Sequence, residues 1–260
     1  MIRKNAKGEN EIALINIFRA VQGEGPEQNF PTVFIRTHLC NLRCPWCDTK
    51  ECWDEQNLLK VYPERSEWES PLKWYTAEQI FNEVESIEQG WYNKSICITG
   101  GEPLMEENKD FMINELIPLF VKAHYSVDIE TNGAIDYSEY KKHFGSAIPL
   151  DRTGHRIGVY LSTDWKMPAS KMNSLMIENN LQILDESDIV KVVMTDDPED
   201  WKELERLVSM KFNAPIYVSP CFGMVTMSRI PEFIQEHADS NIRAQIQTHK
   251  VFYDFSRKDV

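Results

Sequence analysis

Apolar and polar positions alternate between two periods along this chain. Short β-branched or aromatic runs occur at Thr32–His38, Ser95–Thr99, Val127–Thr131, Gly158–Thr163, Ile189–Thr195, Pro215–Ser219 and Ile242–Gln247, and each reads as a buried strand. Helical patterns fall between them. Thr76-Ala-Glu-Gln79 has the form of a capping box, with Ile80, Val84 and Ile87 on one face and Gly90 as the stop. Pro198 can open a second helix after Asp197, with Trp201, Leu204 and Leu207 or Val208 as its buried stripe, and Pro231 can open a third carrying Phe233 and Ile234. Repeated βα units predict parallel strands joined by right-handed crossovers, with any site at the carboxyl ends of the strands. Seven strands leave open whether the sheet closes into a barrel. No linker, repeat or low-complexity stretch divides residues 1–260, so one domain is expected. The segment at about 50–74 departs from the regular pattern and reads as an irregular insert, a loop or short helix that packs locally.

Composition narrows the class. The chain has 260 residues and a formal net charge of −13, which repels nucleic-acid phosphates, and no basic stretch with interleaved aromatics offsets it. No apolar run reaches the roughly 20 residues needed to span a bilayer, and the first ten residues are followed by no secretory apolar region. A cytoplasmic protein is expected, without nucleic-acid or membrane partners. Six cysteines are too few for a disulfide-built scaffold of this length.

Three of those cysteines carry chemistry. Cys40, Cys44 and Cys47 stand at C-x3-C-x2-C spacing, which can hold three irons of a cubane and leave the fourth without a protein ligand. Structural zinc normally takes four ligands as two short-spaced pairs, and Cys52, Cys97 and Cys221 form no second pair. On the triad alone, an iron–sulfur cluster, a zinc site and reduced structural thiols all remain open. Downstream, Ser95-Ile-Cys-Ile-Thr-Gly-Gly-Glu-Pro-Leu104 runs a buried strand into a glycine pair, where backbone can approach a ligand closely.

The triad and this Gly-Gly-Glu-Pro element resemble the signature of the radical S-adenosylmethionine (SAM) superfamily. The resemblance narrows further. Residues 17–49, including Val-Gln-Gly-Glu-Gly25 and Cys40 to Thr49, resemble the N-terminal block of the 7-carboxy-7-deazaguanine synthases. Val127-Asp-Ile-Glu-Thr-Asn-Gly133, Asp164-Trp-Lys-Met-Pro-Ala-Ser170 and Ala244-Gln-Ile-Gln-Thr-His-Lys250 resemble later blocks in the same order.

This resemblance implies a fold, a reaction and a set of site residues. The fold would be α/β, an incomplete TIM-type βα barrel. The reaction would convert 6-carboxy-5,6,7,8-tetrahydropterin to 7-carboxy-7-deazaguanine with loss of ammonia, in 7-deazapurine (queuosine-type) biosynthesis. A [4Fe-4S] cluster on Cys40, Cys44 and Cys47, SAM and Mg2+ on Thr49 would be the cofactors. SAM would meet Trp46, Cys47, Asp48, Gly101, Glu102, Glu130, Asn132, Ser162, Asp164 and Lys166. The pterin would meet Val21, Gln22, Gly23, Glu24, Arg36, Thr99 and His249, with Arg36 suited to a bidentate carboxylate contact. A homodimer and a flavodoxin-like or ferredoxin-like reductant would be the partners. Asp164 to Lys166 depart from the more common Ser-Pro-Lys form, and the chain continues ten residues past Lys250, so a contact by a terminal carboxylate is not assumed for Val260. A glycyl-radical-enzyme activase shares the triad, but the Gln-Gly-Glu-Gly and Gln-x-His-Lys blocks argue against it. A non-catalytic metal-binding or regulatory protein of this fold is the other alternative.

Overall fold

The computed structural model describes residues 1–68, 70–91, 94–144, 156–253 and 259; Val260 lies outside them. Its strands are β1 (Ile2–Lys4), β2 (Asn10–Val21), β3 (Pro31–Thr37), β4 (Lys73–Tyr75), β5 (Ser95–Gly100), β6 (Ser126–Thr131), β7 (Gly158–Asp164), β8 (Ile189–Met194), β9 (Ile216–Pro220) and β10 (Ile242–Ala244). They form one sheet in the order β1-β2-β3-β5-β6-β7-β8-β9-β10, with β4 also on β2. From β3 to β10 every neighbouring pair is parallel, whereas β1, β3 and β4 each run antiparallel to β2.

Each parallel strand divides its side chains between two faces. Ile96 and Ile98, Val127 and Ile129, Val159 and Leu161, and Val190 and Val192 belong to the main hydrophobic core. Burying each such side chain contributes about 1.5–3 kcal/mol. The alternate residues Cys97 and Thr99, Asp128 and Glu130, Tyr160 and Ser162, and Lys191 share the other face, the inside of the curved sheet. Stability therefore comes chiefly from the outer layer, and polar groups are concentrated inside.

The helices follow the sequence signals with one shift. Thr76 caps Ala77–Ile87: its Oγ1 accepts from the Gln79 backbone N–H at 3.2 Å, and its own N–H donates to Gln79 Oε1 at 2.8 Å. Asp197 caps Pro198–Ser209 through the Glu199 N–H at 2.9 Å. The helix at Pro231 starts two residues earlier, at Arg229, because proline is tolerated throughout a first turn whose N–H groups have no intrahelical partner.

Three corrections concern strands. The longest strand, β2, was not among the sequence expectations: Ile12-Ala-Leu-Ile15 is buried on both faces, so it shows no period of two. The last expected strand, Ile242–Gln247, stops at Ala244, and His249 lies in a short helix, His249–Phe252, rather than in a strand. Segment 50–74 forms short helices at Lys50–Cys52, Glu55–Val61 and Pro63–Glu67, followed by β4. Its Cys52, Leu58 and Leu72 pack with Ala13 and Ile15 of β2 in a small second core.

Among the described residues the sheet does not close, because β2 and β10 share no ladder. The seam is stitched instead by the loop after β2. The Gly25 N–H donates to Gln245 Oε1 at 2.6 Å, Gln28 Nε2 donates to the Ile246 carbonyl at 2.6 Å, and the Thr248 N–H donates to the Gly23 carbonyl at 3.1 Å.

At the end of β5 the glycine pair has a steric reason. A Cβ on Gly101 would lie 1.8 Å from the Leu39 carbonyl oxygen, and one on Gly100, at φ +119°, would lie 2.5 Å from the Thr37 backbone. This contact presses the β5 loop onto the residues leading into Cys40. Gly101→Ala is expected to cost roughly 3 kcal/mol or more in chemical denaturation and to reduce the iron bound by the triad. Gly223→Ala, where nothing lies within 4 Å of the new atom, should cost about 1 kcal/mol and leave iron binding intact.

Glu88, at the C-terminal end of Ala77–Ile87, gives a pH test. It is 6% exposed, and burial pushes its carboxyl up to about 7. The folded acid therefore holds its proton where the unfolded one, near 4.5, has lost it. Stability contributed by this group falls as pH rises from about 4.5 through 7 and is level above. Glu88→Gln should gain on the parent over that window, reaching about 2 kcal/mol in urea melts at pH 7.5 and vanishing near pH 4.

Candidate functional site

A cavity of about 500 Å³ opens at the carboxyl ends of the parallel strands. Its walls include residues of six strands, β2, β3, β5, β6, β7 and β8, because residues two apart on a strand point to the same side. On β3 these are Phe34 and Arg36; on β5, Thr99; on β6, Glu130; on β7, Asp164; on β8, Lys191 and Val193. Phe18 of β2 stands opposite Phe34 in register and stacks on it with ring centroids 5.2 Å apart. The Arg36 guanidinium carbon sits 4.6 Å from the centre of the Phe18 ring.

One end of the cavity is the cysteine loop. Cys40, Cys44 and Cys47 line it with Leu42, Trp46, Asp48 and Thr49. All three thiols are free. Burial raises the Cys40 thiol to about 11 and also pushes Cys44 up, so a bound cation is needed to stabilise them as thiolates at neutral pH. One loop thus offers three thiol ligands, the number that holds three irons of a cubane and leaves the fourth open.

Asn132 ties this loop to β6. Its Nδ2 donates to Asn41 Oδ1 at 2.7 Å and approaches Cys40 Sγ at 3.7 Å. Glu102 provides a second tie. Its N–H donates to the Leu39 carbonyl at 2.7 Å, and its carboxylate accepts from the Leu104 N–H, the Asn132 N–H and Thr131 Oγ1 at 2.7–2.9 Å. Burial pushes this acid up to about 7 despite those donors.

The opposite end is a charged cluster. Lys191 Nζ lies 2.9 Å from Glu24 Oε2 and 3.0 Å from Glu130 Oε1, while Thr99 Oγ1 donates to Glu130 Oε2 at 2.8 Å. Burial alone would raise the Glu24 carboxyl, but the charge and hydrogen bond of Lys191, with an amide from Gln247, outweigh it and hold the group at about 2. Gln22 is 3% exposed; its Nε2 donates to Asp128 Oδ2 at 3.1 Å and its Oε1 accepts from the Glu24 N–H at 3.2 Å.

Most residues singled out in the sequence line this one cavity. They are Val21, Gln22, Gly23, Glu24, Arg36, Trp46, Cys47, Asp48, Thr49, Thr99, Gly101, Glu130, Asn132, Asp164, Lys166 and His249. Two are not in its wall: Glu102 is 0% exposed with its carboxylate in the loop junction, and Ser162, the register partner of Glu130, is 1% exposed. His249 reaches the wall because Gly23 leaves room: a Cβ there would fall 2.1 Å from His249 Nδ1.

The sequence reading missed Lys191, Asp259 and the Phe18–Phe34 pair. Lys191 had a readable signal, a charge within the apolar run Ile-Val-Lys-Val-Val. Asp259 had none: it comes from the far end of the chain to pair its carboxylate with Arg36 Nη1.

Comparison with known proteins agrees with this geometry. Residues 34–152 match the Radical SAM superfamily. A 7-carboxy-7-deazaguanine synthase of Methanospirillum hungatei is 30% identical over 238 residues, covering 91% of this chain and 83% of that one. One from Clostridium acetobutylicum is 26% identical over 249 residues, covering 95% and 98%. The crystal structure of QueE from Escherichia coli superposes with a TM-score of 0.61 at 21% identity, over 90% of this chain and 94% of that one, and so shares the fold. With a cysteine triad spaced for a cubane at one end of a polar barrel cavity, and relatives matched along nearly the whole length, this chain belongs to the 7-carboxy-7-deazaguanine synthase family.

Proposed function

We propose that this chain is a radical SAM lyase that converts 6-carboxy-5,6,7,8-tetrahydropterin to 7-carboxy-7-deazaguanine with loss of ammonia, as one domain over residues 1–260. The observation that carries the reading is the continuity of one cavity from the cysteine triad to a buried arginine that already accepts a carboxylate. When bound, the cluster and SAM supply a carbon radical that removes a hydrogen atom from the substrate.

The chain's own residues bind and orient. Cys40, Cys44 and Cys47 would hold the cluster. Trp46, Asp48, Gly101, Glu130, Asn132, Asp164 and Lys166 stand around the adjoining space, where SAM would lie. Arg36 would take the pterin carboxylate: the contact made by Asp259 is the same chemistry, a carboxylate on a guanidinium backed by an aromatic ring. Thr49, with its hydroxyl 3.7 Å from Cys47 Sγ, offers an oxygen donor of the kind Mg2+ prefers, and waters would complete that shell. Gln22, Glu24 and Thr99 present amide, carboxylate and hydroxyl groups suited to the edge of a heterocycle, with Val21, Gly23 and His249 beside them. Lys191 pairs with both Glu24 and Glu130 and offsets one of their two charges, which lessens the repulsion they present to a substrate that itself carries negative charge.

We infer a cytoplasmic homodimer supplied with electrons by a flavodoxin-like or ferredoxin-like protein, in queuosine-type biosynthesis. Among the described residues no helix is long and apolar enough to cross a membrane.

Anaerobically reconstituted protein given SAM, magnesium, dithionite and the tetrahydropterin should form 7-carboxy-7-deazaguanine, detected by mass spectrometry, and Cys44→Ala should form none. Formation of 5′-deoxyadenosine without that product would mean a different substrate. Arg36→Met should raise KM for the pterin about 10- to 100-fold, the worth of a charge-assisted contact, while changing the SAM dissociation constant less than threefold.

A further inference from the structure

Beneath the cavity floor lies a second polar layer. Cys97, Asp128 and Tyr160 are register partners on β5, β6 and β7, one pleat below Thr99, Glu130 and Ser162. Asp128 is 2% exposed and is not part of the cavity wall. If packing were the only demand, an apolar residue would serve there at far lower cost, because a buried carboxyl group gives up its hydration. What Asp128 does instead is accept the amide N–H of Gln22, which does line the cavity.

We propose that Asp128 is a positioning residue for the substrate: it fixes which end of the Gln22 amide faces which partner, and so sets the hydrogen-bonding pattern offered to the heterocycle. The inference rests on the reading that Gln22 meets the pterin. The amide has one consistent orientation, since the side facing the Asp128 oxygen must carry the NH2 group and the side facing the Glu24 N–H must carry the oxygen. The second amide hydrogen lies within reach of the Cys97 sulfur, and one oxygen lone pair is left over for a ligand. Without Asp128 a nearly buried NH2 group would lose its acceptor, and the amide would turn to find another.

The surroundings suit a neutral acid. Cys97 and Glu130 bring their ligand atoms within 4.8 Å of the Asp128 carboxyl and of each other, and Lys191 is already shared between Glu24 and Glu130. Burial first, then the charge of Glu130, push Asp128 up to about 8. The Ser162 hydroxyl, buried with it, lies within hydrogen-bonding reach of this carboxyl. A proton on Oδ1 would supply a donor for the Ser162 oxygen, while Oδ2 goes on accepting from Gln22. Asparagine reproduces that arrangement, with its carbonyl toward Gln22 and its NH2 toward Ser162; alanine removes it.

The test uses reconstituted holoenzyme of the parent, Asp128→Asn, Asp128→Ala and Gln22→Leu, with pterin KM, kcat and SAM affinity measured for each. Expected are an Asp128→Asn KM within threefold of the parent, and Asp128→Ala and Gln22→Leu KM values raised about tenfold or more. The kcat of Asp128→Ala should change less than threefold, and SAM affinity should be unaltered. If Asp128→Ala lowers Tm but leaves KM unchanged while Gln22→Leu raises it, Asp128 is structural and the inference fails alone. If Gln22→Leu also leaves KM unchanged, Gln22 does not meet the pterin, and the inference falls with that reading. An Asp128→Asn enzyme as impaired as Asp128→Ala would likewise overturn it.

Discussion

Everything functional in this fold depends on a backbone contact between two loops. The end of β5 lies so close to the residues between β3 and Cys40 that neither Gly100 nor Gly101 can carry a side chain, and the Gly101 and Glu102 N–H groups donate to the Thr37 and Leu39 carbonyls at 3.1 and 2.7 Å. Leu39 takes a left-handed conformation, φ +74°, which a leucine adopts only when its surroundings impose it. Glu102 then grips the end of β6. The cysteine loop has little regular structure of its own, so its shape is imposed by the ends of two parallel strands that chain distance would not suggest are neighbours.

That arrangement explains how strong polarity survives inside the sheet. The outer faces of β5 to β9 are covered by helices and supply the stability, and the interior can carry two carboxylates and a lysine in one connected set. Such a buried cluster adds little net stability, since desolvation offsets much of the attraction between the charges. Its worth is in geometry: Lys191 links Glu24, from the loop after β2, to Glu130 on β6 across the cavity floor. The loop after β2 also stitches the open seam to the segment after β10, so the same loop bridges the seam and lines the cavity.

Asp259 brings a side-chain carboxylate to the cavity wall, where it pairs with Arg36. The Arg36 guanidinium is in effect a carboxylate receptor, made selective by the aromatic floor of Phe18 beneath it.

The sequence by itself determined the alternation of strands and helices, the capped starts at Thr76 and Asp197, and the presence of a three-cysteine loop followed by a strand ending in two glycines. These are local signals: periodicity, capping and turn chemistry act over a few residues and can be read in order. Only the tertiary structure decided the rest. β2 was hidden because a strand covered on both faces loses its alternation, and the helix carrying His249 was hidden because the packing of Gly23 against the ring, not local propensity, sets the chain's path there. Glu102 and Ser162 belong to the motifs singled out in the sequence, but their full burial follows from neighbours that only the packed sheet brings to them. Lys191, Asp128 and Asp259 acquire their partners from residues 61 to 223 positions away, so the identity of each partner is decided through space even where, as at Lys191, a charge in an apolar run marks the residue itself.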